Sequence, residues 1–368
     1  LVSIVVSVLV TAAITRNEIN DDFLKYFDED ITFRADTDWI SQNLTGLNQI
    51  QFDMQSKKPN GISDPQFLNK LETFSNWARN HEVVTNVQSI TDVFKRLNRD
   101  LNGGDERFYK IPESRELSAQ YLLLYELSLP FGLDLNNQID IDKSSTQIIV
   151  TIDDLTTNQI KAWIKEAETF LESELEMDAV AAGPTVMFSY IAERNIQGML
   201  WGTLYAVLII SGIILIALKD VRLGLLSLVP NLLPAALAFG VWGLFVGQVN
   251  MAVAVVTGMA LGVIVDDSVH FLTKYQLARK NDKLSAERAV VSAFSGVGTA
   301  LLVTTIILVA GFAILAQSSF GLNSAMASLT AIALFMALLA DLTILPALLI
   351  LLDRKTNKSN AQENVVAA

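Results

Sequence analysis

The chain has no cysteine and only two histidines in 368 residues. Disulfide staples and thiolate metal sites are therefore excluded. His81 has no histidine or cysteine companion and makes no metal site, and Asp28-Glu29-Asp30 lacks the spacing of a calcium loop. No nucleophile elbow, phosphate-binding glycine loop or zinc motif is present, so the sequence offers no catalytic constellation and no cofactor site. Positive charge is scarce as well, with 27 Lys and Arg against 39 Asp and Glu for a net charge of −12. An acidic surface repels phosphate, which excludes nucleic acid as a partner.

What is present is unevenly placed. Residues 16–198 form a polar block with 31 acidic and 17 basic residues, whereas 199–352 is almost continuous apolar sequence. Five stretches there, 199–218, 223–246, 248–274, 297–317 and 325–352, reach the roughly 20 helical residues that cross ~30 Å of hydrocarbon. Residues 1–15 read as a sixth, truncated membrane helix. A secretory signal is the competing reading, but no basic residue precedes the apolar run. The expectation is a polytopic α-helical membrane protein of six transmembrane helices, with 16–198 inserted as an extracytoplasmic domain and 353–368 as a polar cytoplasmic tail.

Orientation follows from Lys and Arg placement. Lys219 and Arg222 lie between the second and third spans, and Lys274, Arg279, Lys280, Lys283 and Arg288 between the fourth and fifth. Arg354, Lys355 and Lys358 follow the sixth, while the connections at Gly247-Gln248 and 317–323 carry no basic residue. The basic side is then cytoplasmic and the acidic domain lies outside. The loop 275–296 reads as an amphipathic helix in the membrane interface, its basic residues toward lipid headgroups.

The polar block alternates strands and helices. Residues 47–54 have strand alternation, Asp64-Pro65 opens a helix, and Phe67, Leu71, Phe74 and Ala78 keep helical spacing on it. Residues 83–90 and 147–152 read as strands. A second helix carries Ile160, Trp163, Ile164, Ala167, Phe170 and Leu171 on one face, and 178–182 closes the unit as a strand. Two β-α-β units suggest an α+β, ferredoxin-like domain with a helical insert at 91–130. Trp39, Trp77 and Trp163 are expected in its core. Gly183-Pro184 starts a helix that runs on into the second span, either a mechanical tie or an ordinary connector.

The most specific signal is Asp266-Asp267 inside an otherwise apolar span. An ionised carboxylate at the centre of a membrane helix costs roughly 2.5–3.5 kcal/mol, so intramembrane acids mark ion pathways or proton relays. At ~1.5 Å per residue from the cytoplasmic ends, Asp266 and Thr304 lie about 12 Å deep, Asn231 about 13 Å and Asp341 about 20 Å. His270 shares a helix face with both acids. The candidate relay is Asp266, Asp267, Thr304, His270 and Asp341, with Asn231 and Thr305 as supporting polar groups. An adjacent acid pair shares a proton and titrates as one unit. Pro230 and Pro234 are expected to kink the third span, and Gly243-x-x-x-Gly247 and Gly258-x-x-x-Gly262 to let helices approach closely.

The run Gly262-Val-Ile-Val-Asp266-Asp267-Ser-Val-His270-Phe-Leu resembles the fourth-helix motif of the resistance–nodulation–division (RND) superfamily, in its MMPL-type and sterol-sensing-domain-like branch. Val-Pro230-Asn231-Leu-Leu-Pro234, Thr304-Thr305 before Gly311-Phe312, and Asp341-Leu-Thr-Ile-Leu-Pro346 follow in the same order. The resemblance implies a proton-driven exporter of lipid-like, hydrophobic or amphipathic compounds in a bacterial inner membrane, its large domain in the periplasm and the proton gradient its only energy source. It places the relay on Asp266 and Asp267, with Thr304 as a supporting hydroxyl. Relatives carry two such halves, so an N-terminal half is an expected partner beside substrate and membrane lipids, and a homo-oligomer or a periplasmic protein stays open. The lysine that the drug-efflux branch sets near its acids has no counterpart in these spans. A lipid- or sterol-sensing module without pumping, or a protein-translocation accessory, are the alternatives.

Overall fold

The computed structural model describes residues 2–130 and 132–352. The first elements are helix α1 (Val2–Ala12), strand β1 (Glu18–Ile19), helix α2 (Thr32–Asn43), strand β2 (Asn48–Gln55), helix α3 (Pro65–Arg79) and strand β3 (Val84–Gln88). Helices α4 (Ile90–Leu101) and α5 (Arg115–Ser128) precede strand β4 (Ser145–Ile152), helix α6 (Thr157–Leu175) and strand β5 (Ala181–Ala182). Then come α7 (Pro184–Leu218), α8 (Val221–Leu226), α9 (Leu228–Phe245), strand β6 (Gln248–Val249), α10 (Met251–Lys280), α11 (Ala286–Ala293), α12 (Thr299–Leu315) and α13 (Gly321–Leu339). Two compact units result: residues 29–191, and the residues up to Asp28 together with those from Ala192 onward.

The 29–191 unit is built on a four-stranded antiparallel sheet in the order β3-β4-β2-β5. Ile50, Phe52 and Met54 of β2 are fully buried and alternate with outward polar residues, the period-two pattern of a half-buried strand. Asp64 caps α3 by accepting from the Gln66 backbone N–H, with Pro65 in the first turn where no N–H is needed. Thr156 and Gln159 form a reciprocal capping box at the start of α6. Trp77 stacks on Phe170 at 4.7 Å, and Trp163 meets Phe52 edge-on at 6.1 Å. Trp39 corrects the expectation of a core tryptophan: it is 58% exposed, on a helix (α2) that buries no residue.

A polar cluster braces α3 against α4. Lys95 Nζ lies 2.6 Å from Glu72 and 3.1 Å from Asp92, which also pairs with Arg79 at 2.6 Å. Burial pushes the Glu72 carboxyl up, but the Lys95 hydrogen bond and charge outweigh it and hold the group below its ordinary range. Burial likewise pulls Lys95 down, and Glu72 and Asp92 raise it above its ordinary value.

Among the described residues five helical stretches are long and apolar enough to cross a membrane, the first entering the other unit at Ala192 and the remaining four lying in it: Pro184–Leu218, Val221–Phe245, Met251–Lys280, Ala286–Leu315 and Gly321–Leu352. The N-terminal apolar helix is shorter, α1 continuing only as a 3-10 turn to Arg16. Residues 17–28, polar in sequence, belong to this unit. β1 pairs in parallel with β6, the Tyr26 hydroxyl bonds Asp21, and Phe27 packs against Phe320. Burial, then the Asp21 hydrogen bond and charge, hold that hydroxyl protonated above the usual tyrosine range.

Three local features bear on the sequence expectations. The segment 275–296 is not a separate interfacial helix. α10 continues to Lys280, and α11 buries Ala289, Val290 and Ala293 in a cluster with Phe271, Leu272 and Tyr275, so its apolar face is spent on α10. The third span is interrupted for one residue at Ser227 between α8 and α9, where the backbone itself stays helical (φ −61°, ψ −20°), one turn before the Pro230 expected to kink it. Pro230 has no N–H for the Leu226 carbonyl and its ring crowds that carbonyl, which places the interruption one turn before the proline. Close helix approach uses Gly240 and Gly243, where an added β-carbon would collide with the carbonyls of Val10 and Ala13; around Gly262 there is open space. The basic residues 354, 355 and 358 and the tail 353–368 lie outside the described residues.

Gly240→Leu is expected to lower thermal stability in detergent by about 2 kcal/mol through overpacking against α1. Gly212→Leu, where an added side chain meets nothing, serves as the control and should leave the melting temperature unchanged. Lys95→Met should destabilise the 29–191 unit by about 2 kcal/mol, read as faster hydrogen exchange in α3 and α4. In the wild type, the Glu72 contribution is full above its ordinary value of 4.5 and is lost as pH falls through its lower folded value. The Lys95 contribution is full below 10.5 and is lost as pH rises through its higher folded value. An equal acid response in wild type and Lys95→Met would reject this assignment.

Candidate functional site: an intramembrane acid cluster

Helical periodicity divides α10 into two sides. Ala260, Leu261, Ile264, Ser268, Phe271 and Leu272 are buried, and the Ser268 hydroxyl is occupied by the Ile264 carbonyl at 3.1 Å. Met259, Gly262, Asp266 and His270 are exposed, a stripe at helical spacing along the opposite side. His270 Nε2 lies 3.4 Å from Asp266 Oδ1, with the two side chains 64% and 71% exposed. Asp267, one residue on, turns by about 100° and is half-buried. The adjacent acids therefore occupy different environments: Asp266 is paired on the open face, and Asp267 points toward the bundle.

A second polar centre lies inside. Asp341 is 3% exposed and its Oδ1 has no hydrogen-bond partner; Asn231 is fully buried with neither side-chain atom bonded. Asp341 belongs to a π-helical turn, Ala340–Ile344, in which the Leu345 N–H reaches back five residues to the Ala340 carbonyl. Pro346 follows directly and supplies no N–H to the Leu342 carbonyl, which favours such a widened turn. α9, with Asn231, packs against this π turn, and α10 packs against both α9 and α13. Two carboxyls and one amide from three spans thus occupy adjoining elements.

The remaining candidates fall elsewhere. Thr304 is exposed, and its hydroxyl donates to the carbonyls of Ala300 and Leu301 at 2.8 and 3.2 Å, in its own helix. Thr305 is 4% exposed. α12 packs against α13. The acid–hydroxyl contact expected between Asp266/Asp267 and Thr304 is therefore not made in this arrangement, because the helix backbone supplies the hydroxyl with a nearer acceptor. Of that level of Asp266, Thr304 and Asn231 only Asn231 is buried, and the buried acid is Asp341, whose expected depth set it apart. Asp341 lies on the π turn, for which Pro346 is a signal in the sequence. Among the described residues no cluster of three or more His, Asp or Glu could hold a metal ion.

This arrangement defines a class: a multi-pass α-helical membrane protein with carboxylates on packed apolar spans, one of them buried. Residues 139–365 match the MMPL family, and the chain belongs to that family. The RND-type motif around Asp266-Asp267 thereby finds its place, among transporters and lipid-related membrane modules. A protein of Methanocaldococcus jannaschii, named as a membrane protein, is 22% identical over 304 residues, covering 81% of this chain and 74% of the relative.

An amide buried without partners is costly, and replacing it by an apolar group of similar volume removes that cost. Asn231→Leu is expected to hold or raise the melting temperature in detergent. A loss of more than about 2 kcal/mol would mean that the amide is satisfied in the folded bundle and acts as glue between helices.

Proposed function

We propose that the chain serves proton-motive-force-driven export of lipid-like, hydrophobic or amphipathic compounds, with Asp266 and Asp267 as the proton relay and Asp341 as its inner station. The observation that carries this reading is the buried Asp341, its Oδ1 without a hydrogen-bond partner inside apolar spans, in a bundle whose neighbouring span carries the half-buried Asp267. A proton that enters at the Asp266–His270 pair reaches Asp267 on the neighbouring position and is shared with Asp341. Each proton moved supplies ~2.3 kcal/mol per 100 mV for a conformational cycle. Thr304 and Thr305 act on the helix next to α13, and Asn231 lines the inner end.

The setting proposed for this chemistry is a bacterial inner membrane with the 29–191 unit in the periplasm. That unit is read as a ferredoxin-like domain on its strand order, and as the element that captures or releases substrate. The exposed stripe of α10 also needs cover, since a charged carboxylate does not face hydrocarbon without cost. The open space around Gly262 and the exposure of Asp266 favour a second transporter half, or a second copy, seated there.

A lipid-sensing module without pumping is favoured by one observation. A cavity of about 500 Å³ lies among α7, α9, α10 and α13, its walls apolar side chains such as Leu204, Val207, Phe239, Val256 and Leu329. Proton flux separates the two readings. In proteoliposomes, Asp266→Asn and Asp267→Asn should each abolish substrate-linked proton movement while insertion and melting stay unchanged. Full transport by the double variant sinks the relay, and lipid binding without any proton movement in the wild type selects the sensor. For orientation, the cysteine-free chain allows single reporters without background. Cys in place of the 98% exposed Ile141 should be labelled from the periplasmic side, and Cys in place of Lys219 should not.

A further inference from the structure

A second cavity, of about 390 Å³, opens at the basic end of the helical unit. Arg222 on α8, Arg279 and Lys280 in the last turn of α10, and Lys283 just beyond it all line this space. One carboxylate among the described lining residues, Asp220, is engaged as the cap of α8: its Oδ1 accepts from the backbone N–H groups of Arg222 and Leu223 at 3.0 and 3.3 Å. Arg279 donates to the Leu284 carbonyl and Gln276 Nε2 to the Leu218 carbonyl at 2.7 Å, so the loop and the end of α7 are pinned to α10. The positive rim is held in place by the fold.

The rest of the wall is apolar. Leu223, Leu349 and Leu352 line it together with Tyr275, whose ring is 4% exposed. Cations at a membrane-facing rim beside leucines match an amphiphile that carries negative charge at the water boundary and hydrocarbon below it. A soluble anion gains nothing from the leucines, and a zwitterionic headgroup little from the excess positive charge. We propose that this cavity binds the headgroup of an anionic phospholipid from the leaflet that meets the basic loops, its phosphate among Arg222, Arg279, Lys280 and Lys283 and its upper chain along Leu223, Leu349 and Leu352. The helices that meet here are the ones that carry Asn231, Asp267 and Asp341 further in. A bound lipid joins their ends.

The test uses the full chain, purified in detergent and examined by native mass spectrometry. Phosphatidylglycerol should be retained and phosphatidylcholine with the same acyl chains should not. At about 1 kcal/mol per basic residue near a headgroup, Lys280→Gln with Lys283→Gln should weaken phosphatidylglycerol retention about thirtyfold. Both lysines are exposed, so the melting temperature should not move, and the paired Arg substitutions should restore retention. Equal retention of the two lipids, or unchanged retention in the Gln variant, overturns the proposal. Displacement of phosphatidylglycerol by an equal concentration of inorganic phosphate would also overturn it, since it assigns the cavity to a free anion.

Discussion

A polar group placed in hydrocarbon must find a partner, a proton or a protein surface, and this constraint organises the helical unit. Backbone groups meet it by forming helices, which is why the described residues after Gly183 are helical except for short turns and β6. Most hydroxyls meet it locally: Ser268, Thr304, Thr330 and Thr343 each donate to a carbonyl one turn back, while the buried Ser211 hydroxyl on α7 has no such partner. Asp266 meets it with His270 one turn away. Asn231 and Asp341 do not meet it within their own helices, and they lie where α9 and the π turn pack together. The groups left over after local satisfaction are the ones available for chemistry.

Two departures from ideal helix geometry fall at the same places, and a third, the π turn Phe294–Gly298, does not. Pro230 interrupts the third span at Ser227 just before Asn231, and Pro346 follows the π turn that carries Asp341. In both cases a missing N–H widens or interrupts the helix within a turn or so of a buried polar side chain. The glycines have a separate task. Gly240 and Gly243 admit the backbone of the N-terminal helix to near contact with α9, whereas Gly262 leaves a face open beside Asp266. One set of small residues closes the bundle, and the other leaves room on its exposed side.

The proposed relay and the proposed headgroup site share helices without sharing residues. Asp267 and Arg279 both lie on α10, and Asp341 precedes Leu349 in the final helical stretch. A charge change at the inner acids alters packing demands along these helices, and the basic cavity sits at their ends. Family membership in MMPL supplies the wider frame, and the buried Asp341 supplies the reason why proton movement is the reading preferred over passive binding.

Much of this was legible in residue order alone. Hydropathy and span length identify the membrane helices, because about 20 apolar residues in a row have few other stable fates. Asp64-Pro65 and Thr156–Gln159 mark helix starts, because caps act between neighbours in sequence. The Asp266–His270 pair follows from i to i+4 spacing. The burial of Asp341, the exposure of Trp39 and Thr304, the docking of α11 on α10 and the gathering of four cations around one cavity were decided by tertiary structure. Depth counted along single helices cannot tell which faces meet, and only packing sets the rotation of each helix about its axis.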